Sequence, residues 1–246
     1  MGNIFARLTG RADPDHGPTR VHFLRPGKTG GTALTETLLQ YRDATPYELV
    51  FVGHEARLTD VPRGEKAMFI LRDPVTRFVS AFNGRLREDG PRYDYAWTEG
   101  ERRAFERFKT PNELASALGS SEEAEQAMGD IGHVNTHYSY WFGSERNFRR
   151  RLPDVFFIGF QDRLDTDFDL LKRKLGLPGE AQLPRDETLA HRTPDEYPRE
   201  LSETARANLE RWYADDIAFV RLCRELAPLV YQADQPPSAT RFAPVT

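Results

Sequence analysis

The sequence predicts an α/β fold: a central parallel sheet of four to five strands flanked by helices, with a P-loop-like topology and a helical insertion. Three observations support this. Four short runs rich in β-branched and aromatic residues are bounded by turn signals; helical patterns separate or follow them; and the stretch between the third and fourth runs reads as short helices only. Strands alternating with helices imply parallel pairing, with both faces of the sheet covered.

In chain order, residues 1–19 are expected to form a mobile arm, because termini are ordered only where something ties them down. No apolar run there is long enough for a signal peptide, and Ala6 stands where a myristoylation site wants Ser or Thr. Arg20–Arg25 (RVHFLR) is the first strand, followed by a helix from about Thr32 with Leu34, Leu38 and Leu39 on one face. Glu48–His54 (ELVFVGH) and Lys66–Arg72 (KAMFILR) are the next two strands. Asp73 is a good N-cap with Pro74 in the first turn, opening a helix that aligns Phe78, Val79, Phe82 and Leu86. Residues 83–151 read as the helical insertion, with Glu101–Phe108, Asn112–Leu118 and Glu122–Met128 as its helices. Asp154–Phe160 (DVFFIGF) is the fourth strand. Thr166 with Asp169 then approximates a capping box for a helix that Gly176 and Pro178 end. One last long helix, from about Leu201 to Leu229, turns Leu209, Trp212, Val220 and Cys223 inward. The folded domain therefore spans residues 20–234, and residues 235–246 form an irregular tail.

Composition narrows the function. At 246 residues the chain fits one large domain, and 39% hydrophobic residues with a mean hydropathy of -0.64 describe a soluble protein. No stretch approaches the roughly 18 apolar residues of a membrane span. The net charge of -4 argues against a broad nucleic-acid-binding surface. A single cysteine, Cys223, excludes an internal disulfide framework and any Cys-based zinc site. A cytoplasmic enzyme is the default expectation.

In parallel sheets, ligands bind beyond the carboxyl ends of the strands. Here those ends open onto Arg25-Pro26-Gly27-Lys28-Thr29-Gly30-Gly31-Thr32, onto Gly53-His54-Glu55, onto Arg72-Asp73 and onto Gln161-Asp162-Arg163. The first loop is the most specific. Gly27, Gly30 and Gly31 permit a tight turn with exposed N–H groups just before a helix, which makes an anion cradle. Lys28 adds a positive charge, and Thr29 and Thr32 add hydroxyl donors. A Walker A loop requires G-x-x-x-x-G-K-[ST], and His22 occupies the place of its first glycine. A nucleotide-dependent kinase is the alternative reading, and a non-catalytic nucleotide-binding protein is another.

Phe23–Leu34 (FLRPGKTGGTAL) resembles the 5′-phosphosulfate loop of sulfotransferases that use 3′-phosphoadenosine 5′-phosphosulfate (PAPS), especially the carbohydrate-type branch with its I-P-K-T-G-G-T-S-L pattern. Phe69–Phe82 (FILRDPVTRFVSAF) resembles that family's 3′-phosphate motif, R-[DN]-P-x-x-R-x-x-S-x-[FY]. The likeness is strong over Val21–Arg87 and weaker through Tyr231, with Arg25 where the family often has His and Gly27 where it often has Pro. It implies sulfuryl transfer to a hydroxyl, on a carbohydrate by preference, without a metal, leaving 3′-phosphoadenosine 5′-phosphate (PAP). Gly27, Lys28, Thr29, Gly30, Gly31 and Thr32 would hold the phosphosulfate, with Arg72 and Ser80 on the 3′-phosphate.

Arg72 at a strand end suits bidentate phosphate binding, and Ser80 adds a donor from the next helix. Arg77, one turn before Ser80, is expected to reach the same anion or a carboxylate. His54 is the candidate base and Glu55 the alternative, since imidazole accepts protons near neutrality. His133, His137 and Tyr138, in an aromatic stretch ending at Trp141, either line a sugar-sized pocket or pack as core. The His133/His137 spacing lacks the Glu of a zinc H-E-x-x-H motif. The resemblance places His191-Arg192 near the donor, and Phe160 packs either on adenine or in the core.

Overall fold

The computed structural model describes residues 18–90, 95–184 and 196–232. The expected arm falls almost wholly outside them, as do the irregular tail and His191-Arg192. Four strands, β1 (Arg20–Leu24), β2 (Glu48–Phe51), β3 (Lys66–Leu71) and β4 (Val155–Phe160), form one parallel sheet in the order β2-β1-β3-β4. The chain steps from β1 outward to β2 and then crosses back to β3. The switch in direction therefore falls between the carboxyl ends of β1 and β3, where the two expected anion-binding segments emerge.

Period-two alternation in β3 builds the layers. Ala67, Phe69 and Leu71 face one side of the sheet, while Met68 and Ile70 face the other. On the first side they pack with α6 (Tyr138–Phe142), α7 (Glu145–Arg151) and α10 (Ala214–Gln232), through Tyr138, Trp141, Phe148, Cys223 and Leu226. On the second side lie α1 (Gly31–Gln40) and α8 (Leu164–Leu175), contributing Leu34, Leu38, Phe168 and Leu171. A separate helical cluster joins α2 (Pro74–Leu86), α3 (Glu99–Arg107), α4 (Pro111–Ala117), α5 (Glu122–Asp130) and α9 (Glu203–Trp212) through Phe82, Phe105, Leu114, Met128 and Leu209. Among the described residues, no helix is long and apolar enough to cross a membrane.

Three local expectations are corrected. β2 stops at Phe51, because its partner β1 ends at Leu24 and the Val52 carbonyl instead accepts from Arg25 Nε at 2.9 Å. α8 begins at Leu164 after a single 3-10 turn, so Thr166 lies inside the helix and caps nothing; Asp167 does the local work, accepting from the Phe160 N–H at 2.7 Å. The last helix is two helices. Tyr213 breaks it with φ -101° and is 1% exposed, leaving Trp212 at the surface. The break lets α9 serve the helical cluster while α10 serves the sheet. One straight helix has no stripe that faces both.

Candidate functional site

The loop between β1 and α1 turns through left-handed backbone at Lys28 (φ 66°) and Gly30 (φ 90°). Thr29 is 1% exposed and its hydroxyl donates to the Pro26 carbonyl at 2.8 Å, so it braces the loop. Gly30 caps α1 without a side chain, and no acidic residue sits in the first turn. By contrast α2, α3, α4, α5, α7 and α9 all have side-chain caps. No side chain caps the first N–H groups of α1, a property it shares with α6 and α8. The start of α1 opens onto a cavity of about 1650 Å³ that Lys28, Gly31, His54, Arg72 and Ser80 also line.

The loop is held from behind by the insertion. The His133 imidazole lies against Gly27, where any Cβ would collide with the ring. Burial, and then the Lys28 charge, push the His133 pKa down to about 3, so the ring is neutral. Arg77 is 1% exposed and donates to three carbonyls, Gly27 at 3.0 Å, His133 at 3.0 Å and Thr136 at 2.7 Å. It therefore ties the loop to the insertion through carbonyls, where a carboxylate was one expectation.

Arg72 is oriented from both ends. Its backbone N–H donates to the Tyr138 hydroxyl at 2.9 Å, and that hydroxyl donates back to the Arg72 carbonyl at 2.7 Å. Its guanidinium donates to Thr76 Oγ1 at 3.2 Å and to the Lys28 carbonyl at 3.4 Å. Burial lowers its pKa, and the nearby Arg199 adds to this. Arg199 lines the same cavity and was missed by the sequence reading. Its segment is fastened to α2 by Asn83 Nδ2 donating to the Pro198 carbonyl at 2.8 Å. Two guanidiniums and Ser80 beside one cavity form a cationic corner, and no local pattern pairs Arg72 with a residue so distant in the chain.

His54 is exposed and held. Its Nδ1 lies 2.7 Å from the Arg25 carbonyl, which only accepts, so Nδ1 donates there and Nε2 is the nitrogen left to act as an acceptor. Trp141 Nε1 fixes the His54 carbonyl at 2.6 Å. The Glu55 carboxylate instead folds back over Gly53. Of the aromatic stretch, Tyr138 and Trp141 are core. His133 and His137 diverge: His137 Nδ1 pairs with the buried Asp216 at 2.7 Å, and that hydrogen bond raises its pKa. Phe160 is core too, with Arg163 and Arg224 over its ring.

A parallel four-stranded sheet flanked by helices, with a glycine loop and a lysine at its switch point, defines an α/β protein. The model of the sulfotransferase family matches residues 2–219, and the chain belongs to that family. It is a transferase of sulfuryl groups. No curated protein matches it.

Proposed function

We propose that the chain transfers the sulfuryl group of PAPS to an acceptor hydroxyl on a carbohydrate. The observation that carries this reading is the single cavity shared by the glycine loop, by Arg72 and Ser80, and by His54. The residues fit a ligand with two anionic ends. Gly27, Lys28, Gly30, Gly31 and Thr32, with the Thr29 backbone, receive the phosphosulfate, and Arg72 with Ser80 receives the 3′-phosphate. PAPS supplies an activated sulfur–oxygen bond. His54 Nε2 takes the acceptor proton as the new S–O bond forms. Lys28 and the loop N–H groups stabilise the charge left on the departing phosphate oxygen as the old bond breaks. One such preorganised donor is worth about 10²–10³-fold in rate. The carbohydrate acceptor rests on the likeness of the loop to that branch.

The test is a transfer assay with labelled PAPS over a panel of carbohydrate, phenol and alcohol acceptors, paired with calorimetry of PAP against ATP with magnesium. We expect PAP to bind in preference to ATP, label to move to a carbohydrate, and a chelator to leave the rate intact. ATP binding without PAP binding, or loss of activity on chelation restored by magnesium, favours the kinase. PAP binding without transfer to any acceptor favours a non-catalytic protein.

A further inference from the structure

Lys28 reaches its place through a buried network that no motif announces. Its ammonium pairs with Asp89, the two side chains being 9% and 5% exposed. Arg85 Nη1 donates to the other Asp89 oxygen at 3.1 Å. Arg85 is itself clamped by both oxygens of Glu101, at 2.6 and 2.7 Å. The backbone is built for this contact. Glu88 (φ 55°) and Asp89 (φ 61°) are consecutive left-handed residues that reverse the chain at the end of α2, and the Asp89 N–H donates to the Gly84 carbonyl at 2.8 Å. Gly84, inside α2, leaves the room: a Cβ there would stand 2.8 Å from Lys28 Cε. Both Lys28 and Asp89 line the cavity.

We propose that Asp89 is a positioning residue for Lys28, keeping its ammonium charged and seated over Gly84 at the cavity wall. The inference rests on the reading of Lys28 as the group that stabilises the departing phosphate oxygen. The balance of charges around it is specific. Burial is the largest influence lowering the Lys28 pKa; Arg85 and Arg87 from the end of α2 lower it further, and Asp89 is the opposing partner. His133, facing from the insertion, is neutral, and Arg72 donates to the Lys28 carbonyl. Without Asp89, a buried ammonium would face only positive or neutral neighbours among the described residues, and would give up its proton at lower pH.

The experiment follows the Lys28 ammonium by nitrogen NMR through a pH titration, its signal assigned by loss in Lys28→Arg, in the wild type and in the isosteric Asp89→Asn. Lys28 should lose its proton at lower pH in the variant. The turnover rate should fall about 10²-fold, the scale of a misplaced catalytic group, with its alkaline limb moved to lower pH. Gly84→Ala is the second variant: it unseats Lys28 without removing a charge, and should also lower turnover should Asp89→Asn fail to fold. An unchanged Lys28 titration in Asp89→Asn, or normal turnover in both variants, overturns the proposal. If the wild type neither binds PAP nor transfers sulfuryl, the role given to Lys28 fails on its own, while the titration still decides whether Asp89 governs its charge.

Discussion

Arg72 and His54 divide the proposed site into a binding end and a reacting end, so substitutions at the two should fail differently. Arg72 is oriented by Tyr138 and Thr76 before any ligand arrives. Arg72→Ala should weaken PAP by about 1.5–3 kcal/mol, the scale of a charged hydrogen bond. Adenosine 5′-phosphosulfate, which lacks the 3′-phosphate, should lose almost nothing by calorimetry. Equal losses would remove Arg72 from the 3′-phosphate. His54 is held by the Arg25 carbonyl with Nε2 as its acceptor. His54→Ala should lower the catalytic rate by about 10²–10⁴-fold, as for a positioned base, and leave PAP affinity within a few-fold. Glu55→Gln is the control; if that variant loses the rate and His54→Ala keeps it, the base is Glu55.

Helix α2 joins three regions at once. Its cap follows β3, its apolar face enters the helical cluster, and Arg77 crosses beneath the glycine loop to the insertion. The Arg77 guanidinium also lies over the Tyr138 and Trp141 rings, at 5.2 and 5.3 Å. Arg77→Met should therefore loosen the loop as well as the core. Three carbonyls lose a donor, and each buried acceptor left unpaired costs about 1–3 kcal/mol. We expect a lowered melting temperature together with weaker PAP binding, seen by calorimetry well below the new transition. Destabilisation with full PAP affinity would show that the loop keeps its shape without this tie.

Across the whole molecule, two clusters flank the sheet and a third is purely helical. Within the third, the Arg85–Glu101 pair links α2 to α3, and Arg85 also holds Asp89, which lines the cavity. Burial alone would raise the Glu101 pKa, but Arg85 and the N–H groups of Thr98 and Gly132 outweigh it and hold the carboxylate at about 2. A carboxylate depressed in the folded state contributes stability above its unfolded value of 4.5, and that contribution fades as pH falls toward about 2. Melting curves over this window should show an acid-sensitive step that Glu101→Gln removes. At neutral pH the same substitution should lower the melting temperature, because it removes one of the two carboxylates that pair with Arg85. A neutral-pH melting temperature equal to wild type would show that Asp89 alone suffices for Arg85.

The strands, the starts of α1 and α2, and the glycine turn between β1 and α1 were legible in the sequence, because each is written in neighbouring residues. β3 alternates every two positions, Asp73-Pro74 caps and opens a helix, and three glycines crowd one turn. The interior fate of Tyr138, Trp141 and Phe160 was only half legible, since aromatic side chains suit a pocket wall and a core equally. The break at Tyr213 was hidden, because the helical pattern continues through it and only the separation of the two clusters requires a bend. Most of all, the partners of the charged groups were decided in three dimensions. Lys28 meets Asp89 because two left-handed residues fold the end of α2 back over Gly84. Arg77 finds carbonyls where a carboxylate was one expectation, and Arg199 joins Arg72 from far along the chain. Caps and periodicity act within a turn or two of helix or strand, whereas a charge in a low-dielectric interior takes whichever counter-ion the packing brings within reach.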